Sequence, residues 1–191
     1  TTPIDPRVLD AMIDIYKNDP GNADSRTHDF GEQARKVVEN CRRNVAELLG
    51  VTPEEIFFTS GSTEGNNIAI QGLRDYAEKT GKKHIITTAI EHKAVLNTVK
   101  YMGEHGYDVE FVKPNESGRV SYDEILNKVR NDTLLVSVMH VNNETGIIQP
   151  VKEIGDVLKE KGVLFHIDAT QSCGKLVDEI RELNYDMLTF S

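Results

Sequence analysis

The sequence predicts an α/β fold in three αβα layers, with a mostly parallel sheet covered by helices on both faces. Two observations predict it. Short, nearly continuous apolar runs suited to buried strands recur along the chain: HIITT from His84, VEFV from Val109, TLLVSVM from Thr133, VLFHID from Val163 and MLTF from Met187. Several are separated by amphipathic stretches that end near Gly81, Gly106 and Gly162, the punctuation of crossover helices between parallel strands.

The first elements read as helices. Asp5 before Pro6 is a cap and first-turn pair, and Val8, Met12 and Ile15 then fall on one stripe. In the stretch 31–49, Ala34, Val38, Cys41, Val45 and Leu48 recur at threes and fours, with Gly50 as the stop, which assigns Cys41 to core packing. Thr52, Pro53, Glu54 and Glu55 form a capping box for a short turn, and IFFT (56–59) reads as a brief buried strand. The polar PNESG segment (114–118) reads as a surface turn. There is no repeat, low-complexity tract or linker, so no domain boundary is expected.

Composition narrows the function classes. A chain of 191 residues, 38% hydrophobic and 28% charged, suffices for one sizeable core rather than two full domains. Its 22 basic and 31 acidic residues give a net charge of -9 with no long run of either sign, which argues against nucleic acid or an anionic membrane as partner. No stretch approaches the roughly 18 to 20 apolar residues of a membrane helix, and no basic-then-apolar signal opens the chain, so a soluble, cytoplasmic protein is expected. Cys41 and Cys173 lack CxxC spacing, which predicts reduced thiols rather than a disulfide or a metal site.

Parallel sheets gather their sites at the carboxyl ends of strands, so the residues after each strand carry the functional reading. SGSTEGNN (60–67) combines small residues, hydroxyls and a helix start, which suits a phosphate; the plainer reading is a turn capped by Ser62 or Thr63. AIEHKAV places His92 after a strand, beside Glu91, where an imidazole can stack on a flat ring or move a proton; a lone His is more often merely structural. VNNETG (141–146) offers carboxamides, which turns also favour.

Asp168 is the sharpest signal. It ends the apolar strand VLFHID, where a carboxylate is costly unless it meets a cationic or hydrogen-bonding partner. A protonated pyridine nitrogen is such a partner, because a buried carboxylate keeps the ring cationic and able to accept electrons. Gln171 then stands in reach of the ring's phenolate oxygen. The alternative makes Asp168 a turn cap and Gln171 a surface amide. Taken in order, the phosphate turn, His92, the asparagines and the Asp-x-x-Gln pair outline pyridoxal 5'-phosphate.

These segments, TSGSTEGNN, EHKAV, MHVNNETG and HIDATQSCGK, resemble those of NifS/IscS-type cysteine desulfurases in the class V aminotransferase group, and the resemblance runs from Thr1 to Ser191. It implies that residues 1–191 are part of the large, cofactor-binding domain of a fold-type I pyridoxal-phosphate enzyme, incomplete at both ends. It further implies phosphate contacts from Ser62 and Thr63, ring stacking and proton transfer by His92, and a ring-oxygen contact from Asn143, with Asp168 and Gln171 as argued above. In the family a Ser-x-His-Lys sequence follows the strand matching MLTF; Ser191 takes its first place as a cofactor contact, and the lysine that bonds the cofactor would lie three positions further on.

The family's short strand before an ATTP-like start, its carboxylate-binding arginine, its catalytic-cysteine loop and its small domain have no counterpart in residues 1–191. Neither Cys41 nor Cys173 is the expected nucleophile, and the loop GNADSRTHDFG (21–31) departs from the family's GNP pattern at Ala23 and Asp24. The complete enzyme implied is a homodimer that converts L-cysteine to L-alanine and passes sulfur, as a persulfide, to acceptor or scaffold proteins. These residues alone are expected to be inactive. The alternatives are a selenocysteine lyase or other class V enzyme, or a non-catalytic half of a split protein with a binding role.

Overall fold

The computed structural model describes residues 3–25 and 27–191. The first two residues of the expected ATTP-like start, and Arg26 of the 21–31 loop, lie outside the described residues. No composition shift marks a boundary, yet the chain divides into two compact units, 1–57 and 58–191.

The first unit holds α1 (Pro6–Asn18), α2 (Asp29–Leu49) and a 3-10 turn (Pro53–Glu55). Asp5 caps α1 by accepting from the Arg7 amide, as its place before Pro6 predicts. The stripe of α1 is not buried, however: Met12 is 40% exposed, and no residue of the helix is buried. Periodicity reports the helix and its apolar face, not what lies against that face.

In α2 the buried residues are Gly31, Ala34, Ala46 and Leu49, and Gly50 ends the helix in the left-handed region at φ 73°. Cys41, expected in the core, is exposed, as is Leu48. The helix is covered at its ends by different segments. A Cβ on Gly21 would lie 3.2 Å from that of Ala34, while the chain leaving the helix returns the Val51 amide to the Ala46 carbonyl. Cys41 lies between these coverings.

The capping box at Thr52 and Glu55 forms as read. The strand expected at 56–59 does not: Phe57 is 81% exposed and Phe58 53%. The Ile56 amide turns back to Pro53 and its carbonyl accepts from the Arg42 guanidinium, so turn and side-chain bonds replace a ladder.

The second unit runs α3 (Ser62–Gln71), α4 (Arg74–Thr80), β1 (His84–Thr88), α5 (Lys93–Glu104), β2 (Asp108–Val112), α6 (Tyr122–Lys128), β3 (Thr133–Met139), α7 (Val151–Lys161), β4 (Leu164–Asp168), α8 (Val177–Arg181) and β5 (Met187–Thr189). The five predicted strands are all present, and among the described residues they pair wholly in parallel, in the order β2-β1-β3-β4-β5. The central strands β1, β3 and β4 are too buried to show alternation, which is why they read as continuous apolar runs, while the edge strands β2 and β5 are only partly covered.

Helices cover both faces, because the side chains of a strand alternate between them. On one, Gly65 of α3 approaches Thr189 and Gly103 of α5 approaches Val109, over a core that includes Ile70, Ile85, Val99 and Leu135. On the other, Gly155 lets α7 close on Phe165, where a Cβ would lie 3.4 Å from the ring. The chain steps from β1 outward to β2 and then back across to β3, so the strand order switches between β1 and β3 and leaves a crevice at their carboxyl ends.

Candidate cofactor site

Three neighbouring strands deliver polar residues to one edge: β1 leads to Glu91 and His92, β3 to Asn142 and Asn143, and β4 ends on Asp168. Asp168 is buried. Its Oδ1 accepts from the Thr170 amide at 3.0 Å and the Thr170 hydroxyl at 2.6 Å, while Oδ2 accepts from Asn66 Nδ2 at 2.8 Å. The turn-cap reading of this residue therefore describes one oxygen. The other faces α3, and since a carboxylate offers about four acceptor positions, three bonds leave it room for one more donor.

Below Asp168 a polar row crosses the sheet. His166 hydrogen bonds with Ser137 Oγ at 2.8 Å and Thr189 Oγ1 at 3.0 Å, and Thr87 Oγ1 donates to the Ser137 carbonyl. Burial pushes the His166 pKa down to about 4, against an opposing pull from Asp168, so a neutral ring links β3, β4 and β5.

Glu91 is also buried, and its Oε1 accepts from Thr88 Oγ1 and the Met139 amide, each at 2.8 Å. Burial, with a smaller contribution from Asp168, raises its pKa to about 8. Glu91 Oε2 and Asn66 Oδ1 are buried without a hydrogen-bond partner among the described residues.

His92 is exposed and forms the N-cap of α5, its Nδ1 accepting from the Ala94 amide at 3.2 Å. With Thr63, Asn67, Thr98 and Tyr101 it lines an open cleft of about 440 Å³ between α3 and α5. The cap of α3 is Gly61, at φ 149°, rather than Ser62 or Thr63, so neither hydroxyl is spent on capping. The first-turn amides and hydroxyls of a ten-residue helix are thus available to an anion. Glu64 turns back to accept from the Ser60 amide, which lowers its pKa and puts one negative charge beside this donor set.

Asn142 takes the turn role that its segment suggests, its Oδ1 accepting from the amides of Glu144 and Thr145 while Nδ2 donates to the Ile90 carbonyl. Asn143 is exposed, and its amide donates to Glu144. Gln171 and Ser191 are exposed as well. The structure thus joins Thr63 with His92 in one cleft and ties α3 to Asp168, while Asn143, Gln171 and Ser191 are exposed at the same sheet edge.

Asn66 and Glu91 are the residues that sequence reading passed over. Asn66 had a signal: it lies four residues before Ile70 on α3, a carboxamide in line with an apolar position, and both are buried. Glu91 had only its place between apolar Ile90 and the helix start.

An all-parallel sheet with a buried carboxylate, an imidazole and a free helix start at its carboxyl edge is the arrangement of α/β enzymes that handle a phosphorylated cofactor or substrate. Comparison with known proteins narrows the class. The aminotransferase class-V family matches residues 1–191, and the chain belongs to that family. It is 47% identical, over its whole length, to the mitosomal cysteine desulfurase of Trachipleistophora hominis, covering 44% of that protein. It is 45% identical to the cysteine desulfurase IscS of Pectobacterium carotovorum subsp. carotovorum, covering 48%. The crystal structure of DndA from Streptomyces lividans superimposes on the whole chain with a TM-score of 0.92 at 45% identity, and the chain covers 53% of it. The chain thus spans about half the length of the relatives it matches.

Proposed function

We propose that residues 1–191 are part of the pyridoxal-phosphate-binding large domain of a cysteine desulfurase, an enzyme that takes L-cysteine to L-alanine and leaves the sulfur as a persulfide on an enzyme cysteine. The observation that carries this is Asp168: a buried carboxylate at the end of a central strand, held from two sides, with one acceptor position to spare. That acceptor position fits the N–H of a pyridine ring.

The other residues take roles consistent with their places. Ser62 and Thr63, at the free start of α3, bind the phosphate through amides and hydroxyls. His92 stacks on the ring and moves protons at the substrate; Nδ1 is engaged by the Ala94 amide, so Nε2 is the working nitrogen. Asn143 and Gln171 bind the ring oxygen from the neighbouring turns, and Ser191 completes the contacts. When bound, pyridoxal phosphate supplies the electron sink for the substrate carbon.

Sulfur transfer to acceptor proteins, a homodimeric complete enzyme and a cytoplasmic setting belong to the same proposal. Recovery with an organelle fraction such as the mitosome, where the name of one relative places it, overturns the last.

Titration of the purified chain with pyridoxal phosphate, followed by absorbance and by intact mass after borohydride reduction, tests the site. Saturable binding without a site-specific covalent adduct is expected, and no alanine is released from L-cysteine by these residues alone. Absence of saturable binding overturns the claim that these residues form the site by themselves, and catalytic alanine release overturns the claim of inactivity.

A further inference from the structure

Apart from Asp168, Glu91 is the only carboxyl buried at the carboxyl edge of the sheet among the described residues, and no role assigned above uses it. It lies at the switch point, where β1 is flanked by β2 on one side and β3 on the other. Its Oε1 takes a proton donor from each wall of that crevice: Thr88 Oγ1 at the end of β1 and the Met139 amide at the end of β3. The residues around it are tied as well. The Ala89 amide donates to the Val112 carbonyl of β2 at 2.8 Å, and Asn142 Nδ2 donates to the Ile90 carbonyl at 2.9 Å. The next residue is His92, whose Nδ1 accepts from the Ala94 amide. From 88 to 92, then, successive positions are fastened to β2, β3, the 142 turn and α5, which leaves His92 little freedom of approach.

We propose that Glu91 is a positioning residue for His92: its carboxyl bolts the ends of β1 and β3 together across the switch point, and this bolt aims the imidazole into the cleft it shares with Thr63. The bolt is an acceptor, not a charge. Both bonds fall on Oε1, and Oε2 has no partner among the described residues, so a neutral group with one acceptor oxygen satisfies the geometry. What His92 meets in the cleft rests on the cofactor reading above; the bolt itself does not.

Backbone amide exchange by NMR, on the intact chain and its Glu91→Gln and Glu91→Leu variants, tests this. Gln keeps the acceptor oxygen, whereas Leu keeps the bulk and removes it. Loss of the bolt in Glu91→Leu is expected to speed exchange roughly tenfold at the Met139 amide and at the Ala94 cap amide, with Ile167 of β4 unchanged. Glu91→Gln is expected to stay close to the parent at both. Should Glu91→Leu fail to fold, Thr88→Val removes one of the two donors and is expected to shift the same amides by a smaller factor. Faster exchange at Met139 with Ala94 unmoved overturns the proposal, because the bolt then holds strands without setting His92, and so does a Gln variant that behaves like Leu. Pyridoxal phosphate titration of the same proteins separates the two readings: if the parent fails to bind, these residues do not form the cofactor site by themselves, while the amide comparison still decides the role of Glu91.

Discussion

Asn66 and Asp168 stand 102 residues apart in sequence and meet in a buried 2.8 Å hydrogen bond that joins the first turns of α3 to the end of β4. The bond settles which oxygen of Asp168 faces the helix. It also makes the carboxylate dependent on α3, since Asn66 supplies its only long-range donor among the described residues.

Removing that donor is expected to destabilise the second unit. Asn66→Ala leaves a buried carboxylate oxygen unpaired, which costs about 1–3 kcal/mol. Asn66→Asp sets a second carboxyl against the first and is expected to cost more. Urea unfolding followed by far-UV circular dichroism checks the order; equal stability of parent and Asn66→Ala would show the bond to be dispensable.

The contrast between Asp168 and its partner shows what sequence can carry. Asp168 was visible because a carboxylate closing an apolar strand demands an explanation from local sequence alone. Glu91 was not, because an acid is ordinary at a helix start and only the tertiary structure buries it, and Asn66 carried only the faint signal of its alignment with Ile70. The same limit explains the elements. All five strands were legible as short apolar runs, the central β1, β3 and β4 because they are buried on both faces. IFFT has the same composition but its backbone bonds go to a turn and to Arg42, and Cys41 follows the helical period yet lies between the two segments that cover α2.

Glu91 and His166 give the folded protein opposite responses to pH. The carboxyl of Glu91 rises from 4.5 to about 8 on burial, so the folded state binds the extra proton between those values and stability falls as pH rises through that window. His166 drops from 6.5 to about 4, so the unfolded state binds the extra proton and stability falls as pH is lowered from 6.5 to 4. Between 4.5 and 6.5 the two slopes cancel, and the loss attributable to Glu91 emerges above 6.5. Glu91→Gln is expected to abolish the alkaline loss, which between pH 6.5 and 8 is on the order of 2 kcal/mol. Melting temperatures of parent and variant from pH 5 to 9 read this directly, and parallel curves contradict it.

Close contact between α7 and the sheet depends on Gly155. An added Cβ would sit 2.3 Å from the Asn184 carbonyl oxygen, a backbone atom that cannot swing aside. Gly155→Ala is therefore expected to lose about 1–3 kcal/mol through overpacking, despite the better helix propensity of alanine. A variant as stable as the parent in urea would mean that the 184 turn yields without cost.

The ring contact assigned to Asp168 makes a prediction separable from its structural one. Asp168→Asn keeps the shape: its oxygen still accepts from the Thr170 groups, and its NH2 donates to Asn66 Oδ1 once that carboxamide flips, but it no longer offers an anion to a ring N–H. A charge-assisted bond of this kind is worth about 1.5–3 kcal/mol, so pyridoxal phosphate is expected to bind roughly 10- to 100-fold more weakly. The comparison needs a ligand that lacks the ring: inorganic phosphate, bound at the start of α3, is expected to compete equally well in parent and variant. Equal pyridoxal phosphate affinity in the two proteins would detach Asp168 from the ring and leave it as the cap of the Thr170 turn. A variant that lost both ligands together would instead place the carboxylate's effect in the packing of α3 against β4, where Asn66 carries it.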